Sequence, residues 1–215
     1  MTKYKMILFD MDDTLLKGRT IHIIGRDKGF LEEVIKLENS DIISYKKNEE
    51  IAKLLKGLTI QECLGIFRTI PLQDHLTEVL KEIKNKGLKT GIITNSYQFL
   101  ADDLKDRLEL DYAIGNILVH NNNIITGDLV IRNKQPTVKK HHGCRQHPIC
   151  KKTILQELSK KTKIPVAEMV TVGDGRIDIC MLREAGLGIA YRASEEVQRA
   201  ADISINDLKD ILKYI

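Results

Sequence analysis

The sequence predicts an α/β fold, a doubly wound parallel sheet of the Rossmann type, and two observations support this prediction. First, short apolar runs rich in β-branched residues, at residues 5–9, 89–94 and 169–173, alternate with amphipathic helical stretches. This alternation is typical of a parallel sheet that is covered by helices on both faces. Second, the chain has 215 residues, of which 42% are hydrophobic, so it can bury one large core.

The predicted elements follow one another along the chain. A helix at residues 72–86 ends at Gly87, and a strand follows it directly. Strands are expected at residues 5–9, 89–94, 169–173, 188–191 and 203–205. Further helices are predicted at residues 98–110, 151–163, 177–185, 195–201 and 207–214.

Two segments interrupt this alternation. Residues 19–71 show no convincing strand, and their apolar spacing predicts helices at residues 31–37, 48–56 and 60–67. We therefore expect a small helical cap at residues 19–71, inserted into a core domain made of residues 1–18 and 72–215. The second segment has apolar runs at residues 112–119 and 124–131 around three asparagines, which predicts a β-hairpin projecting from the main sheet.

Charge and cysteine content exclude several classes of protein. The chain has 34 basic and 30 acidic residues, and a net charge of +4 is too small to indicate nucleic acid or an anionic membrane by itself. No apolar run approaches the ~20 residues that span a bilayer. Four cysteines without an export signal are expected to be reduced thiols, so we expect a cytoplasmic protein.

The polar residues that follow the strands are the candidates for chemistry, because ligands of open α/β sheets collect at the carboxyl ends of the strands. These positions hold Asp10, Asp12, Thr94, Asn95, Asp174 and Asp178, and a Lys begins the helix at residue 151. Converging carboxylates repel one another unless a cation lies between them, and Mg²⁺ favours carboxylates together with phosphate oxygens. A cation beside hydroxyls, amides and a lysine is suited to phosphoryl transfer.

The motifs DMDDT, TNS, a Lys at a helix start and GDGRID occur in this order. This order resembles the haloacid dehalogenase-like hydrolase superfamily, whose first signature is D-x-D-x-T and whose last is typically G-D-x-x-x-D. Residues 151–215 look more closely like the phosphoserine phosphatase branch. The resemblance covers nearly the whole chain, although the cap matches in position and helical character more than in sequence.

The resemblance implies a role for each motif residue. Asp10 would be the nucleophile that forms an aspartyl-phosphate, and Asp12 would be the general acid and then the general base. Thr94 and Asn95 would bind the transferring phosphoryl group. Lys151 would pair with that group and with Asp10, although the neighbouring Lys152 stays open as the alternative.

The resemblance also implies a magnesium site. The carboxylates of Asp10 and Asp174 and the backbone carbonyl of Asp12 would hold Mg²⁺, with Asp178 supporting them from behind. The presence of Asp12 argues against the dehalogenases of the superfamily, which do not use a second Asp.

Several positions depart from the phosphoserine phosphatase pattern. Arg19 stands at the position of a Glu that meets the substrate's amino group, Thr94-Asn95 replaces the common Ser-Gly, and Ile177 replaces Asn. No counterpart was found at residues 48–56 for the cap arginine that meets the serine carboxylate. A basic Arg19 would repel an ammonium group and attract a second anionic group instead.

Residues 132–152 form a basic segment without Asp or Glu. It contains five potential zinc ligands, but their spacing fits none of the common zinc patterns; they are His141, His142, Cys144, His147 and Cys150. We prefer a basic loop that recruits anionic substrates and leave the zinc alternative open. The segment also faintly resembles the stretch before the lysine in phosphocholine and phosphoethanolamine phosphatases of the superfamily.

The leading functional hypothesis is a Mg²⁺-dependent phosphatase for a small phosphorylated metabolite, with phosphoserine as the nearest family substrate. The alternatives are a more anionic substrate, such as a phosphosugar or phosphoglycerate, or a phosphocholine-type substrate. An alternative of another class is a nucleic-acid-binding module that uses residues 132–152, which the shortage of aromatic residues disfavours. The sequence leaves the oligomeric state open.

Overall fold

The computed structural model describes residues 3–133 and 147–215, which contain a seven-stranded sheet. The strands are β1 (Met6–Phe9), β2 (Lys89–Tyr97), β3 (Tyr112–Asn121), β4 (Ile124–Val130), β5 (Met169–Gly173), β6 (Leu187–Tyr191) and β7 (Ile203–Ile205). Their order across the sheet is β4-β3-β2-β1-β5-β6-β7, and only the β3–β4 pair is antiparallel. The structure therefore confirms the predicted α/β class and places β1 at the centre.

Nine α-helices accompany the sheet in the described part of the chain. They are α1 (Thr20–Lys28), α2 (Leu31–Glu38), α3 (Ser44–Leu54), α4 (Ile60–Phe67), α5 (Leu76–Asn85), α6 (Gln98–Leu108), α7 (Lys151–Thr162), α8 (Ile179–Leu182) and α9 (Glu195–Gln198). None of the helices within these described ranges is long and apolar enough to cross a membrane.

The central strand is buried on both faces, which explains its uninterrupted apolar sequence. Ile7 and Phe9 belong to a large core that includes α5 and α6, whereas Met6 and Leu8 pack with residues of α7 on the opposite face. All four side chains are fully buried. Because side chains alternate between the faces of a strand, this one tetrapeptide joins the two layers of the core.

The predicted hairpin extends the main sheet and forms its edge. The first half of β3 pairs in parallel with β2, and its second half pairs antiparallel with β4. The turn contains Asn122 and Asn123, both with positive φ, which asparagine tolerates better than most residues. The hairpin also contacts the loop before α4, where Gly57 N donates to Ile125 O at 2.9 Å.

Helices α1 to α4 form a helical insertion between β1 and β2, where the sequence predicted helices and no strand. Its two connections to the sheet run side by side: Lys17 N donates to Pro71 O at 2.7 Å and Gln73 N donates to Leu15 O at 2.9 Å. The sequence missed α1, whose apolar residues are interrupted by polar ones. The helix predicted at residues 48–56 begins earlier, at Ser44.

Several helix bounds near the sheet differ from the prediction. Helix α5 begins four residues late, because His75 adopts a left-handed conformation with φ 63° just before it. Helix α8 is a single turn, since its end packs on β6 so closely that a Cβ on Gly188 would lie 2.1 Å from the Leu182 carbonyl oxygen. The predicted helix at residues 207–214 is a 3-10 helix, Leu208–Lys213.

Candidate active site

The motif residues converge at the carboxyl ends of the three central strands. Asp10 follows β1, Asp174 follows β5, and Thr94 lies near the end of β2, which pairs with β1. The Asp10 backbone continues the ladder, because its N–H donates to Val172 O at 2.9 Å. The parallel register thus brings together residues that are far apart in the sequence.

A buried lysine joins two of the carboxylates. Lys151, the first residue of α7, is fully buried, and its Nζ donates to Asp10 Oδ1 and, at 2.5 Å, to Asp178 Oδ1. Burial lowers the pKa of Lys151, but the charges of Asp10 and Asp178 outweigh this effect and raise it, so the amine stays protonated. Lys152 instead pairs with Glu184 at 2.5 Å. Of the two candidate lysines, the structure places Lys151 at the site.

Asp178 is held against the end of β5. Its Oδ2 accepts a hydrogen bond from Gly175 N at 3.0 Å, while its Oδ1 accepts from Lys151. A Cβ on Gly173 would lie 2.5 Å from Asp178 Cγ, so only glycine lets the carboxylate approach the strand this closely. Both oxygens of Asp178 therefore already have donors.

Three carboxylates form an acidic cluster that could hold a metal ion. One oxygen from each of Asp10, Asp174 and Asp178 lies within 4.8 Å of the others, and Thr14 Oγ1 donates to Asp174 Oδ1 at 2.8 Å. Burial, and then the neighbouring charge of Asp178, raise the pKa of Asp174 to about 6. Burial likewise raises the pKa of Asp10 well above its ordinary value, although Lys151 opposes this shift. Oxygen ligands that repel one another fit a hard divalent cation.

Asp12 lies apart from this cluster and contacts the helical insertion. Its Oδ1 accepts two hydrogen bonds from Thr20, one from the backbone N–H at 3.1 Å and one from the hydroxyl. Burial raises the pKa of Asp12, and both bonds from Thr20 oppose the rise. Thr20 is fully buried and begins α1. The sequence analysis gave Thr20 no role, since only the fold brings it to Asp12.

The end of β2 is shaped by local hydrogen bonds. Thr94 is buried, and its Oγ1 accepts from Ser96 N at 3.0 Å. The Asn95 carbonyl accepts from Asn116 Nδ2 of β3 at 2.7 Å, where the β2–β3 register shifts. Thr94 and Asn95 thus lie beside the acidic cluster at the carboxyl end of the sheet, and both line the same cavity.

Arg19 lines the cavity as well, but it has an acidic partner that the sequence analysis did not identify. Its Nη2 lies 2.8 Å from Glu38 Oε1, and His22 Nε2 lies 2.8 Å from Glu38 Oε2. Glu38 is the last residue of α2 and itself lines the cavity. The positive charge expected from Arg19 is therefore largely compensated.

The cavity lies between the carboxyl ends of the strands and the helical insertion, and it has a volume of about 1050 Å³. One face of α3 contributes four lining residues at helical spacing, which are Ser44, Lys47, Asn48 and Ile51. Motif residues that follow the strands, among them Asp10, Thr94 and Asp174, form the opposite wall. A ligand that spans the cavity would contact both walls.

The basic segment is only partly described. His141, His142 and Cys144 lie outside the described residues, and within the described ranges His147 and Cys150 join no group of three potential metal ligands. Of the cations of this segment that the structure describes, Lys151 is buried, Lys152 is paired, and Arg132 Nε donates to Gly115 O at 2.8 Å. The zinc site and the nucleic-acid surface stay predictions.

Comparisons with known proteins bear on the family and the fold of the chain. The family model of haloacid dehalogenase-like hydrolases matches residues 4–186. A phosphoserine phosphatase of Methanocaldococcus jannaschii is 34% identical over 220 residues, covering 99% of this chain and 98% of that protein. One of Archaeoglobus fulgidus is 34% identical over 206 residues, covering 94% of this chain and 56% of that protein.

Solved structures give the same result. A phospho-aspartyl intermediate analogue of phosphoserine phosphatase superposes with a TM-score of 0.83 at 32% identity, over 100% of both chains. A substrate-bound phosphoserine phosphatase complex gives the same TM-score, identity and coverage. Together with the family model, these matches show that the chain belongs to the haloacid dehalogenase-like hydrolases.

Proposed function

We propose that this chain is a phosphoric monoester hydrolase that acts on a small phosphorylated metabolite through an aspartyl-phosphate. The observation that carries the proposal is the convergence of Asp10, Lys151 and Asp174 at the carboxyl ends of the central strands, beside a cavity of about 1050 Å³. Relatives along the whole chain are named phosphoserine phosphatases, and one similar structure is a phospho-aspartyl intermediate analogue.

Asp10 is the proposed nucleophile and Asp12 the proposed acid and base. A carboxylate oxygen of Asp10 bonds to phosphorus while the ester P–O bond breaks, and Asp12 gives its proton to the leaving alcohol oxygen. Asp12 then removes a proton from water, whose oxygen attacks phosphorus and releases Asp10. The raised pKa of Asp12 supports this role, because a group that exchanges a proton in both directions works best near the ambient pH.

Lys151, Thr94 and Asn95 are the proposed phosphoryl-binding residues. The Thr94 hydroxyl oxygen accepts the Ser96 N–H, so its own proton is directed elsewhere and can be donated to a phosphoryl oxygen. Lys151 fixes Asp10 through Oδ1 and supplies the positive charge that an anionic ester requires.

We assign Mg²⁺ as the metal, held by the carboxylates of Asp10 and Asp174 and the Asp12 carbonyl. Asp178 supports the site from behind, since both of its oxygens already accept hydrogen bonds. The all-oxygen donor set supports this assignment. When bound, the ion neutralises the charge of the phosphoryl oxygens and of the carboxylates.

Residues 19–71 are proposed to act as a cap domain over a core made of residues 1–18 and 72–215. The hydrogen bonds Lys17–Pro71 and Leu15–Gln73 support this division, because they join the two segments that connect the insertion to the sheet. Two adjacent connecting segments can act as a hinge between the cap and the core. We further propose that the protein works in the cytoplasm, where small phosphorylated metabolites are abundant.

Phosphoserine is the first substrate to test, because relatives are named for it. Phosphoglycerate or a phosphosugar is the second, and Lys47 on the cavity wall favours it, whereas Glu38 largely compensates the charge of Arg19. A phosphocholine-type substrate has less support: a quaternary ammonium binds in aromatic cages, and Tyr97 is the one Phe, Trp or Tyr among the described lining residues.

A phosphate-release assay across a library of phosphorylated metabolites, with Mg²⁺ or with EDTA, tests the proposal. We expect Mg²⁺-dependent turnover of phosphoserine, phosphoglycerate or a phosphosugar. Failure to hydrolyse any ester in the presence of Mg²⁺ would contradict the phosphatase assignment. Salt-dependent binding of DNA or RNA without phosphate release would instead favour the nucleic-acid alternative.

A further inference from the structure

The segment that enters α7 brings an imidazole to the active-site cavity. His147 stands four residues before Lys151 and lines the cavity together with the catalytic motifs. His147 has no role in the proposed mechanism. It belongs to the basic segment at residues 132–152, whose histidines and cysteines the proposed function leaves unexplained.

The backbone of His147 is anchored in the core. Asn133 Nδ2 donates to the His147 carbonyl at 3.0 Å, and Asn133 N donates to the Pro148 carbonyl at 2.8 Å. The next residues, Ile149 and Cys150, are buried, and Ile149 packs with the α7 side of the core. The core therefore fixes the point from which the imidazole extends.

The ring of His147 reaches the helical insertion. Its Nδ1 lies 2.7 Å from Ser44 Oγ, a contact between residues 103 positions apart. Ser44 is the first residue of α3, whose face with Lys47 and Asn48 lines the cavity. The contact between His147 and Ser44 thus lies at one side of the cavity. It connects the segment before α7 to the helical insertion.

The surroundings favour the neutral form of this imidazole. Burial, and then the nearby charge of Lys151, lower the pKa of His147. In a neutral imidazole one nitrogen accepts and the other donates. When the Ser44 hydroxyl donates to Nδ1, Nε2 carries the proton and is a hydrogen-bond donor.

We propose that His147 is a specificity-determining residue, which donates a hydrogen bond from Nε2 to a polar group on the alcohol part of the substrate while Ser44 orients its ring. The inference rests on the proposed phosphatase function of the same cavity. The alcohol part must lie on the insertion side, because Thr94, Asn95 and Lys151 surround the phosphoryl position. His147 then recognises the alcohol part of the substrate and contributes little to binding of the phosphoryl group.

Kinetics of His147→Ala and Ser44→Ala test this role, with His120→Ala as a matched control because His120 is exposed on β3. The probes are phosphoserine and 3-phosphoglycerate, and orthovanadate inhibition reports on the phosphoryl position alone. We expect His147→Ala to raise KM for the better substrate about tenfold, the effect of one lost hydrogen bond, with a nearly unchanged kcat. The orthovanadate inhibition constant should stay within about twofold of wild type, as should every constant of His120→Ala.

Equal losses for the substrate and for orthovanadate would overturn the proposal, because they indicate a general disturbance of the site. An unchanged KM for both substrates would overturn it too. Comparing the change in KM with the change in the orthovanadate inhibition constant therefore separates a specificity residue from a structural one.

A thermal-unfolding cycle separates this inference from the proposed function, because it requires no turnover. Each of His147→Ala and Ser44→Ala should lower Tm by about 2 to 4 °C, and the double variant should fall no further than the larger single loss. Additive losses would show that the two side chains do not interact and would overturn the inference. Wild-type protein that releases phosphate from no ester would refute the proposed function, while the cycle would still test the His147–Ser44 contact.

Discussion

Lys151 shows how one side chain can set the chemistry of a site. A fully buried amine between Asp10 and Asp178 lowers the repulsion within the acidic cluster and fixes the orientation of the proposed nucleophile. Buried charges are tolerated only when they are paired and hydrogen-bonded, and both conditions hold here. The position of the lysine at the start of α7 is therefore as important as its charge.

Asp10→Asn should reduce phosphate release to below about a hundredth of the wild-type rate, because an amide is a poor nucleophile. The variant should stay folded, since an asparagine fills the same space. Phosphate-release kinetics and circular dichroism check both statements. A residual rate above about a tenth of wild type in a folded variant would contradict the proposed nucleophile.

Thr20 should tune the acid–base behaviour of Asp12. Thr20→Val removes the hydroxyl that stabilises the Asp12 carboxylate, so the pKa of Asp12 should rise and the general acid should stay protonated to higher pH. We expect the alkaline limb of the kcat/KM profile to move upward, by about half a pH unit or more. Thr20→Ser retains the hydroxyl and should resemble wild type; an identical pH profile for Thr20→Val would argue against this role.

At the scale of single elements, the end of β5 has no room for a side chain. Gly173→Ala would place a methyl group 2.5 Å from Asp178 Cγ and should cost about 1 to 3 kcal/mol of unfolding free energy, with a loss of turnover. Gly65→Ala is the matched control, because no atom outside the neighbouring backbone of α4 lies within 4 Å of its added Cβ. That variant should gain about 0.5 to 1 kcal/mol through helix propensity.

Urea unfolding measures both glycine variants. If Gly173→Ala proved as stable and as active as wild type, the close packing of Asp178 on the strand would be wrong. The comparison with Gly65 excludes a general effect of replacing glycine by alanine.

The sequence predicts the elements that have a strong apolar period and the residues that follow them. It therefore located β1, β5 and α4 almost to the residue, and it placed Asp10 and Asp174 directly after their strands, whereas β2 continues three residues beyond its predicted end at Thr94. It could not predict contacts that depend on packing between distant segments. Glu38 beside Arg19, Thr20 on Asp12 and His147 on Ser44 are of this kind, and none has a local pattern.

At the scale of the whole molecule, the acidic cluster should make stability depend on pH and on the proposed metal ion. The pKa of Asp174 is raised to about 6 in the folded protein, against about 3.9 in an unfolded chain. Between these values the folded protein binds more protons, so this residue lowers stability as pH rises from about 4 to about 6. Its cost is absent below the unfolded value and complete above the folded one.

Asp174→Asn should therefore stabilise the metal-free protein at pH 7.5, raising Tm by about 3 °C or more in EDTA, with no gain near pH 4. Saturating Mg²⁺ should raise the Tm of wild type, by an amount that reflects about 2.7 kcal/mol at a hundredfold excess over Kd, and should leave the variant nearly unchanged. Differential scanning calorimetry with and without metal makes this comparison. A variant that is less stable than wild type in EDTA, or that responds equally to Mg²⁺, would refute the electrostatic account.

The most direct test of the proposed mechanism is to trap the covalent intermediate. Wild-type protein would be mixed with its best substrate and Mg²⁺, quenched with acid within one turnover and digested, and its peptides examined by mass spectrometry. The account predicts that the peptide containing Asp10 gains the mass of one phosphoryl group, and that fragmentation places this group on Asp10. Steady turnover with no phosphorylated peptide, or with the phosphoryl group on another residue, would contradict it.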